Sequence, residues 1–351
     1  MSKKIKTFGI FWENIEYGGV STHIEDLITS GSFKNVNFVI FTNTTNTAIE
    51  KIKKKLKHRD VKIILYKSFN VITFNNFFLK LFYLIFRPVF FLLSIFQTWL
   101  LLKKFKFDIF LAECGGYGNF RTEIASIIAA TIIKYPIKSV VIHHCYAKPY
   151  LWSSLISLID KLVSRCASNF IFGSLAVKNN IQEKTNLLKN NNKIEVIHHG
   201  VSIIREERNL EKLNYVFNKV DKNIFKIGML SRIEYNKGQI DLVMAFNQLP
   251  DKLKEKINIF FIGESKLGEV KKIKKKIEAL KLNNFFHFPG YIDCDSISIL
   301  SRLDLLVSLT KEFEGFGLSL AESLFAETPI LSTNVGAVSE FLNNKNSKLI
   351  P

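Results

Sequence analysis

The chain of 351 residues is poor in cysteine: Cys114, Cys145, Cys166 and Cys294 are widely separated, with no CxxC pair. That excludes a disulfide framework and a structural zinc site of ordinary spacing, and it fits a reducing compartment. Acidic residues are scarce beside basic ones, 31 Asp and Glu against 49 Lys and Arg, a formal net charge of +18. Such an excess favours anionic partners: nucleic acid, anionic lipid or phosphorylated small molecules. No zinc-finger spacing and no RNA-recognition aromatic signature accompany it, so nucleic acid is set aside. Runs such as 51–59 and 271–281 also read as solvated helix faces. No apolar signal core with a small-residue cleavage site follows the opening MSKKIKTFGIFW, which predicts a cytoplasmic chain. No GxGxxG follows the first strand-like run and no acidic residue ends the second, which disfavours a dinucleotide enzyme. Cys145 stands beside His144 without a third orienting group, so it is a poor nucleophile candidate.

What is present is globular: 47% hydrophobic and 23% charged residues, at a length suited to about two cores. Apolar runs at 6–12, 35–43, 61–66, 108–113 and 139–144 read as buried strands, with helical spacing at 20–30 and 122–133 between them. The second half repeats the logic, with strands at 225–233, 257–263, 285–290, 304–310 and 329–334 and a helix at 238–249. Strands alternating with helices predict an α/β fold with parallel sheets covered on both faces. The polar, charged stretch 204–222 is the expected linker between an N-terminal Rossmann-like domain, 1–203, and a C-terminal one, 223–351. Two such domains are expected to face each other across an interdomain cleft at their strand ends.

The segment 68–102 is dense in phenylalanine. Its longest uncharged stretch, Pro88 to Leu102, is 15 residues and is followed by Lys103-Lys104. A bilayer span needs about 20 apolar residues. Three readings stay open: a buried or interdomain helix, a helix lying in a membrane interface, or a transmembrane helix. The phenylalanines exceed what one helix ordinarily buries, and they favour the interface.

Chemistry concentrates in two loops of the second half. In 313–329, Gly315 and Gly317 permit a tight turn, and the helix after it aims free N–H groups at the loop, a natural anion site. Glu314 stands at the loop mouth and Glu322 inside the helix, among Leu318, Leu320, Ala321, Leu324 and Phe325. Vicinal hydroxyls would satisfy such carboxylates. The bland alternative is a capping box with Ser319 as N-cap and Glu322 three residues on. In 228–246, Arg232 and Lys237 flank a loop and Gly238 opens a helix. Two cations at a helix N-terminus suit a diphosphate.

These motifs resemble the retaining glycosyltransferases of family 4, which have the GT-B fold. EGFGLSLAE, Glu314 to Glu322, matches that family's Glu-x7-Glu pattern. SRIEYNKG resembles its donor-phosphate loop, STNVGAVSEFL resembles the segment with Gly336, Ala337 and Glu340 near the phosphates, Gly18-Gly19 resembles its N-terminal glycine turn, and VIHHGVS resembles the strand and turn at Gly200. The resemblance covers nearly the whole chain. It implies a hexosyltransferase that moves a sugar from a nucleoside-diphosphate sugar, a UDP-sugar for example, to an acceptor hydroxyl with retained configuration. The implied donor-binding residues are Gly18, Gly19, Arg232, Lys237, Glu314, Gly315, Phe316, Gly317, Leu318, Glu322 and Glu340. The implied catalytic residues are His144, His143 and Glu314, with Arg232 and Lys237 stabilising the leaving diphosphate. No metal and no cofactor are expected, and Asp293-Cys294-Asp295 is read as a surface turn. His198 and His199 are read as part of the turn before Gly200.

The charge and the aromatic segment point to a glycan or lipid-linked acceptor in cell-surface glycan synthesis (lipopolysaccharide, capsule or exopolysaccharide). They also suggest peripheral attachment to an anionic membrane, on the inner face of the cytoplasmic membrane. Members of the family usually continue with a helix past the point where NSKLIP ends this sequence. The alternative function is therefore a non-catalytic nucleotide-sugar-binding protein of the same fold. A sugar-nucleotide epimerase is the nearest enzymatic competitor.

Overall fold

The computed structural model describes residues 6–351 except 14–16, 34, 57–58, 70–76, 148–150, 190–192, 202–209 and 266. The chain divides into two compact units, Met1–Gly200 and Val201–Pro351.

In the first unit seven strands form one sheet: β1 (Thr7–Trp12), β2 (Asn37–Asn43), β3 (Val61–Tyr66), β4 (Ile109–Cys114), β5 (Ile137–Ile142), β6 (Asn169–Phe172) and β7 (Ile194–Val196). Their order is β3-β2-β1-β4-β5-β6-β7. All neighbours are parallel. A parallel strand is covered on both faces, which is why β1 and β4 are almost unbroken apolar runs. The Asp108 carboxylate accepts from the amides of Lys6 and Thr7 at 3.0 and 3.1 Å, fastening the start of β4 to the start of β1. Strand order reverses between these two strands. In open sheets of this kind ligands bind at the carboxyl ends of the strands flanking the reversal. Helices Gly19–Thr29 and Ile49–Lys55 lay Ile24, Ile28 and Ile52 on Ile10, Trp12, Phe38 and Ile40.

The aromatic segment becomes a helix, Phe77–Leu102, continuous through Pro88. It is buried along one stripe only, formed by Tyr83, Phe91, Ser94, Thr98 and Leu102 at helical spacing. That stripe packs on helix Thr122–Ile132, and Phe91 lies 5.6 Å from Phe120, ring to ring. The hydroxyls of Ser94 and Thr98 donate back to the carbonyls of Phe90 and Ser94 at 2.8 and 2.7 Å. The opposite face is open and apolar: Phe77, Phe78, Leu81, Phe82, Ile85, Phe86, Val89, Leu92 and Phe96 are exposed, Phe78 by 76%. A helix buried within its own unit is thereby overturned. By length and composition the helix is apolar enough to cross a membrane.

In the second unit six strands form an all-parallel sheet: β8 (Phe225–Leu230), β9 (Ile257–Ile262), β10 (Phe286–Gly290), β11 (Leu305–Ser308), β12 (Ile330–Thr333) and β13 (Lys348–Ile350). The order is β10-β9-β8-β11-β12-β13. Alternate residues of β9 feed two cores. Phe260 and Ile262 join Leu300, Leu306 and Leu320 on one side, and Ile259 and Phe261 join Val243, Phe246 and Ile273 on the other. Residues 210–217, inside the stretch expected to link the halves, form a helix whose Leu213 and Phe217 enter the first of these cores. The rest of that stretch up to Arg208 and Asn209 lies outside the described residues. All but the last two residues of the basic run 271–281 lie on helix Leu267–Ala279, which buries Ile273 and Ile277 and leaves Lys271, Lys272, Lys274 and Lys275 in solvent.

Candidate functional site

Two groups of side chains, one in each unit, gather most of the polar chemistry. In the second unit β8 ends at Leu230, and Arg232 follows, its guanidinium 3.2 Å from Glu234. A short 3-10 turn, Tyr235–Lys237, then leads through Gly238 into helix Gln239–Asn247. Gly238 has φ +76°, and a Cβ there would lie 2.4 Å from the Leu309 carbonyl oxygen, so only glycine lets this turn press against the end of β11. The press brings Lys237 to the neighbouring loop. Its ammonium donates to the Glu314 carboxylate at 2.8 Å and lies 3.4 Å from the Thr310 hydroxyl. Thr310 in turn donates to the same Glu314 oxygen at 2.9 Å. Gln239, buried behind the loop, donates to the Arg232 carbonyl at 3.0 Å.

The loop after β11 is held from the other side. Ala337 N–H donates to the Glu314 carbonyl at 3.0 Å, and Gly336, φ +60°, packs on the Glu314 backbone. Gly315, Phe316 and Gly317 are buried, with the Phe316 ring 5.1 Å from Phe341. Helix Leu318–Phe325 begins directly after Gly317, which is its N-cap. The capping box on Ser319 is therefore overturned, because Ser319 already lies inside the helix. Glu322 is half-buried on the second turn, while Leu324 and Phe325 are exposed, so the apolar surround expected for it is only partial. Glu340 is half-buried in the 3-10 turn Val338–Glu340. The structure thus joins Lys237 to Glu314 and Glu314 to the Gly336–Ala337 turn, and it pairs Arg232 with Glu234. Thr310 and Gln239 are members that sequence reading missed. Asp295 of the Asp-Cys-Asp spelling caps helix Ser296–Leu300, accepting from Ser298 N–H at 2.8 Å, so the turn reading becomes a helix cap.

In the first unit Gly18 precedes helix Gly19–Thr29 in extended backbone, its amide 3.2 Å from the Ser21 hydroxyl. One turn further on stands His23. His143, just beyond β5, is buried, and one ring nitrogen (Nε2) lies 2.6 Å from the fully buried Glu113 of β4. Its other nitrogen is 3.1 Å from His199 Nε2, and His199 Nδ1 is 3.2 Å from His23 Nδ1. His23 Nε2 returns to within 3.9 Å of the other Glu113 oxygen. His199 is therefore a member of a cluster and not only a turn residue. It enters where Gly173 leaves room, since a Cβ there would come within 2.7 Å of its ring. His144 is half-buried, 3.2 Å from the Cys145 thiol. Burial pushes the pKa of His199 down to about 2, reinforced by His143 and His23. Burial also lowers that of His23 against the pull of Glu113. Burial alone would raise the Glu113 carboxyl, but the bond from His143 and the nearby His23 outweigh it and hold it below the ordinary value. The signal that could have revealed this cluster is Glu113 itself, a lone acid in the apolar strand IFLAEC.

Comparison with known proteins falls in line with both units. Residues 17–205 match the family described as Glycosyltransferase Family 4, and residues 214–350 match Glycosyl transferases group 1. The chain is 26% identical over 328 residues to an uncharacterized glycosyltransferase of Methanocaldococcus jannaschii, covering 90% of this chain and 77% of that one. Over 109 residues it is 37% identical to the poly(glycerol-phosphate) alpha-glucosyltransferase of Bacillus subtilis, 31% of this chain and 15% of that one. Among solved structures, Anabaena HepE in complex with UDP and glucose superposes with a TM-score of 0.73 at 17% identity, covering 98% of this chain and 85% of that one.

Proposed function

The chain belongs to glycosyltransferase family 4, an enzyme family of two-domain α/β GT-B fold, and on that premise we propose that it is a retaining transferase using a UDP-sugar, with the Lys237–Glu314 loop pair as the centre of its donor site. The observation that carries the reading is this pair: a cation and a carboxylate 2.8 Å apart where two glycine-shaped turns meet. Without donor each charge satisfies the other. A nucleotide sugar offers better partners to both, diphosphate oxygens to Lys237 and sugar hydroxyls to Glu314. Helix Gln239–Asn247 directs its N-terminal N–H groups toward the same anion. Arg232 adds a second positive charge, and Glu322 takes the ribose hydroxyls. The complex of HepE with UDP and glucose supports uridine as the base.

In the transfer step the bond from the anomeric carbon to the diphosphate breaks while the acceptor oxygen approaches from the same face. Lys237 and Arg232 neutralise the charge on the leaving diphosphate without a metal. Preorganised charges of this kind stabilise a transition state most when little reorganisation is needed. The cytoplasmic, membrane-attached reading rests on the apolar outer face of helix Phe77–Leu102 and the exposed Lys103, Lys104 and Lys106 after it. Such a helix lies in the interface with its lysines at lipid phosphate. The acceptor is then a lipid-linked or polymeric glycan intermediate, a class to which the likeness to a poly(glycerol-phosphate) glucosyltransferase lends support.

A thermal-shift panel of nucleoside diphosphates and their sugars tests the donor assignment, because a ligand bound to the folded state raises Tm according to its concentration over Kd. UDP and UDP-sugars are expected to raise it, and Lys237→Ala to abolish the rise. A panel without any response overturns the reading. Binding without turnover leaves a nucleotide-sugar-binding protein.

A further inference from the structure

Helix Phe77–Leu102 carries a charge on its inner stripe. Arg87 falls four residues after Tyr83 and four before Phe91, on the side that faces the protein, and is half-buried there. Its Nε is closed off from water without a hydrogen-bond partner, and among the described residues no carboxylate pairs with it. The guanidinium carbon lies 6.0 Å from the centre of the Tyr83 ring. The helix is pinned at this level. Pro88 has no N–H for the Leu84 carbonyl, and the Trp152 indole donates to that carbonyl at 3.3 Å instead.

A second guanidinium stands close by. Arg121, directly before helix Thr122–Ile132, acts on Arg87 as a like charge. Its Nη2 donates to Glu123 at 2.8 Å, and its Nε lies 3.4 Å from the other Glu123 oxygen. A guanidinium has more donors than this pair uses, and the Arg121 side chain is 29% exposed. Glu13, which follows β1, is the other acid at this end of the sheet. Burial, then Glu123, pushes it up to about 7, although Tyr66 donates to it. Near neutral pH it therefore does not set a full negative charge against an incoming anion. Two cations thus stand beyond the carboxyl ends of β1 and β4 against one committed carboxylate. A half-buried charge without a counter-ion costs stability, and such groups gather where a ligand supplies the partner.

We infer that Arg87, together with Arg121, grips the phosphate group of a single-tailed lipid; that this lipid is the acceptor rests on the sugar-transfer reading above. Paired guanidiniums suit phosphate oxygens, which they bind two at a time. The lipid is indicated by what the same helix shows on its other side, the exposed and mutually packed rings of Phe82 and Phe86 among them. A helix with its side chains is about 10–12 Å across. An interfacial helix sinks its apolar face about 5–10 Å into the boundary between headgroups and acyl chains. The inner stripe, and Arg87 with it, then stands at the level of the lipid phosphates. A phosphate held there leaves its tail among the acyl chains and directs its other substituent toward the protein.

The test floats the full chain with phosphatidylcholine vesicles containing hexadecyl phosphate. A parallel set contains phosphatidylglycerol at equal surface charge. Hexadecyl phosphate presents open oxygens to a two-pronged grip, so the wild type should bind those vesicles more tightly. Arg87→Gln should weaken that binding by about 10–100-fold, as for loss of one charge-assisted contact. Its retention on phosphatidylglycerol, which uses the apolar face and Lys103 with Lys104, should not change. Its Tm without lipid should equal or exceed that of the wild type, since an unpaired charge is removed. Arg87→Lys keeps the charge without the planar fork and should recover only part of the binding. Equal wild-type retention on the two vesicles overturns the proposal, and so does a lower Tm in Arg87→Gln, which would make Arg87 a structural residue. Glucose 1-phosphate, a phosphate without a tail, should leave Tm unchanged. An Arg87-dependent rise with it would assign the site to soluble phosphates and overturn the lipid. The UDP-induced thermal shift should be the same in wild type and both variants. A wild type that prefers hexadecyl phosphate but answers no nucleotide sinks the proposed function and leaves the lipid site, so the two failures are distinguishable.

Discussion

Gly336 rests on the backbone of Glu314 so closely that a Cβ at position 336 would lie 2.1 Å from the Glu314 carbonyl oxygen and 2.7 Å from its nitrogen. The contact fixes the loop that presents the Glu314 carboxylate. Gly336→Ala is expected to destabilise the second unit by roughly 1–3 kcal/mol, the usual strain of a non-glycine residue forced into such backbone. It should also erase the UDP-induced thermal shift. Urea denaturation and thermal shift measure the two effects. A normal nucleotide response in this variant would show that the turn does not govern the loop.

Lys237 and Glu314 should separate in function although they are joined in structure. Lys237→Ala is expected to lower kcat by about 10²–10³-fold, as for loss of one preorganised charge-stabilising donor. Glu314→Gln frees the ammonium from its carboxylate, so UDP alone should bind no more weakly than to the wild type. The nucleotide sugar should lose affinity, because the sugar hydroxyls lose a charged acceptor. Equal losses for UDP and UDP-sugar would contradict this division of labour.

The pH dependence of stability follows from His199. Its folded pKa is pushed from 6.5 to about 2, chiefly by burial. The unfolded chain therefore binds a proton near 6.5 that the folded ring refuses. The stability due to the neutral ring is complete above pH 6.5 and declines as pH falls through that value, by about 1.4 kcal/mol per pH unit. Tm should drop on acidification from pH 7 to 5, and His199→Phe should flatten the drop. An identical slope in the variant would remove His199 as its cause.

Glu13 acts in the opposite direction. It is buried, and burial together with Glu123 raises its carboxyl above the ordinary value, although Tyr66 donates to it. The folded protein thus holds a proton that the unfolded chain releases near pH 4.5, and stability is lost as pH rises through the raised value. Glu13→Gln should leave Tm unchanged at pH 4 and raise it at pH 8. Lower Tm at pH 8 would mean that the ionised carboxylate is needed.

The outer face of helix Phe77–Leu102 predicts flotation with anionic liposomes at low salt. Phe82→Asn with Phe86→Asn, both exposed positions, should reduce flotation without lowering Tm. Lys103→Glu with Lys104→Glu should reduce it on anionic vesicles only. A wild-type protein that remains in the aqueous layer would refute membrane docking.

Much of this architecture was legible in the sequence because parallel strands are covered on both faces. Runs such as NFVIFTN and INIFFI read as strands without help from tertiary context. β6 and β13, of four and three residues, are too short to carry a period and exist only by pairing with β5 and β12. The two charged loops of the second unit were legible because glycines and charges fall within one turn of a helix start. The histidine cluster was not, since His23 and His199 are 176 positions apart and meet only through the crossovers of the sheet. The excess of phenylalanine foretold an open apolar face on helix Phe77–Leu102, but not which stripe the protein would cover. Its protein-facing stripe contains Ser94 and Thr98, so the more polar side turns inward, the reverse of an ordinary surface helix.

The place of β1 in its sheet also bears on how the chain is made. β1 pairs with β2 on one side and with β4 on the other, and β4 begins at Ile109. As the chain leaves the ribosome, β1, β2 and β3 are complete by Tyr66, yet the apolar edge TFGIFW has no second neighbour until β4 emerges. At about 5–20 residues per second that interval lasts roughly 2–9 s. Helix Phe77–Leu102 is born within it, before helix Thr122–Ile132 exists to cover its inner stripe. The nascent chain therefore shows an open strand edge and a bare aromatic helix together, the combination that trigger-type holdases and a nearby bilayer both shield. Cell-free synthesis with anionic vesicles present from the start should yield more soluble-plus-bound chain than the same vesicles added at the end.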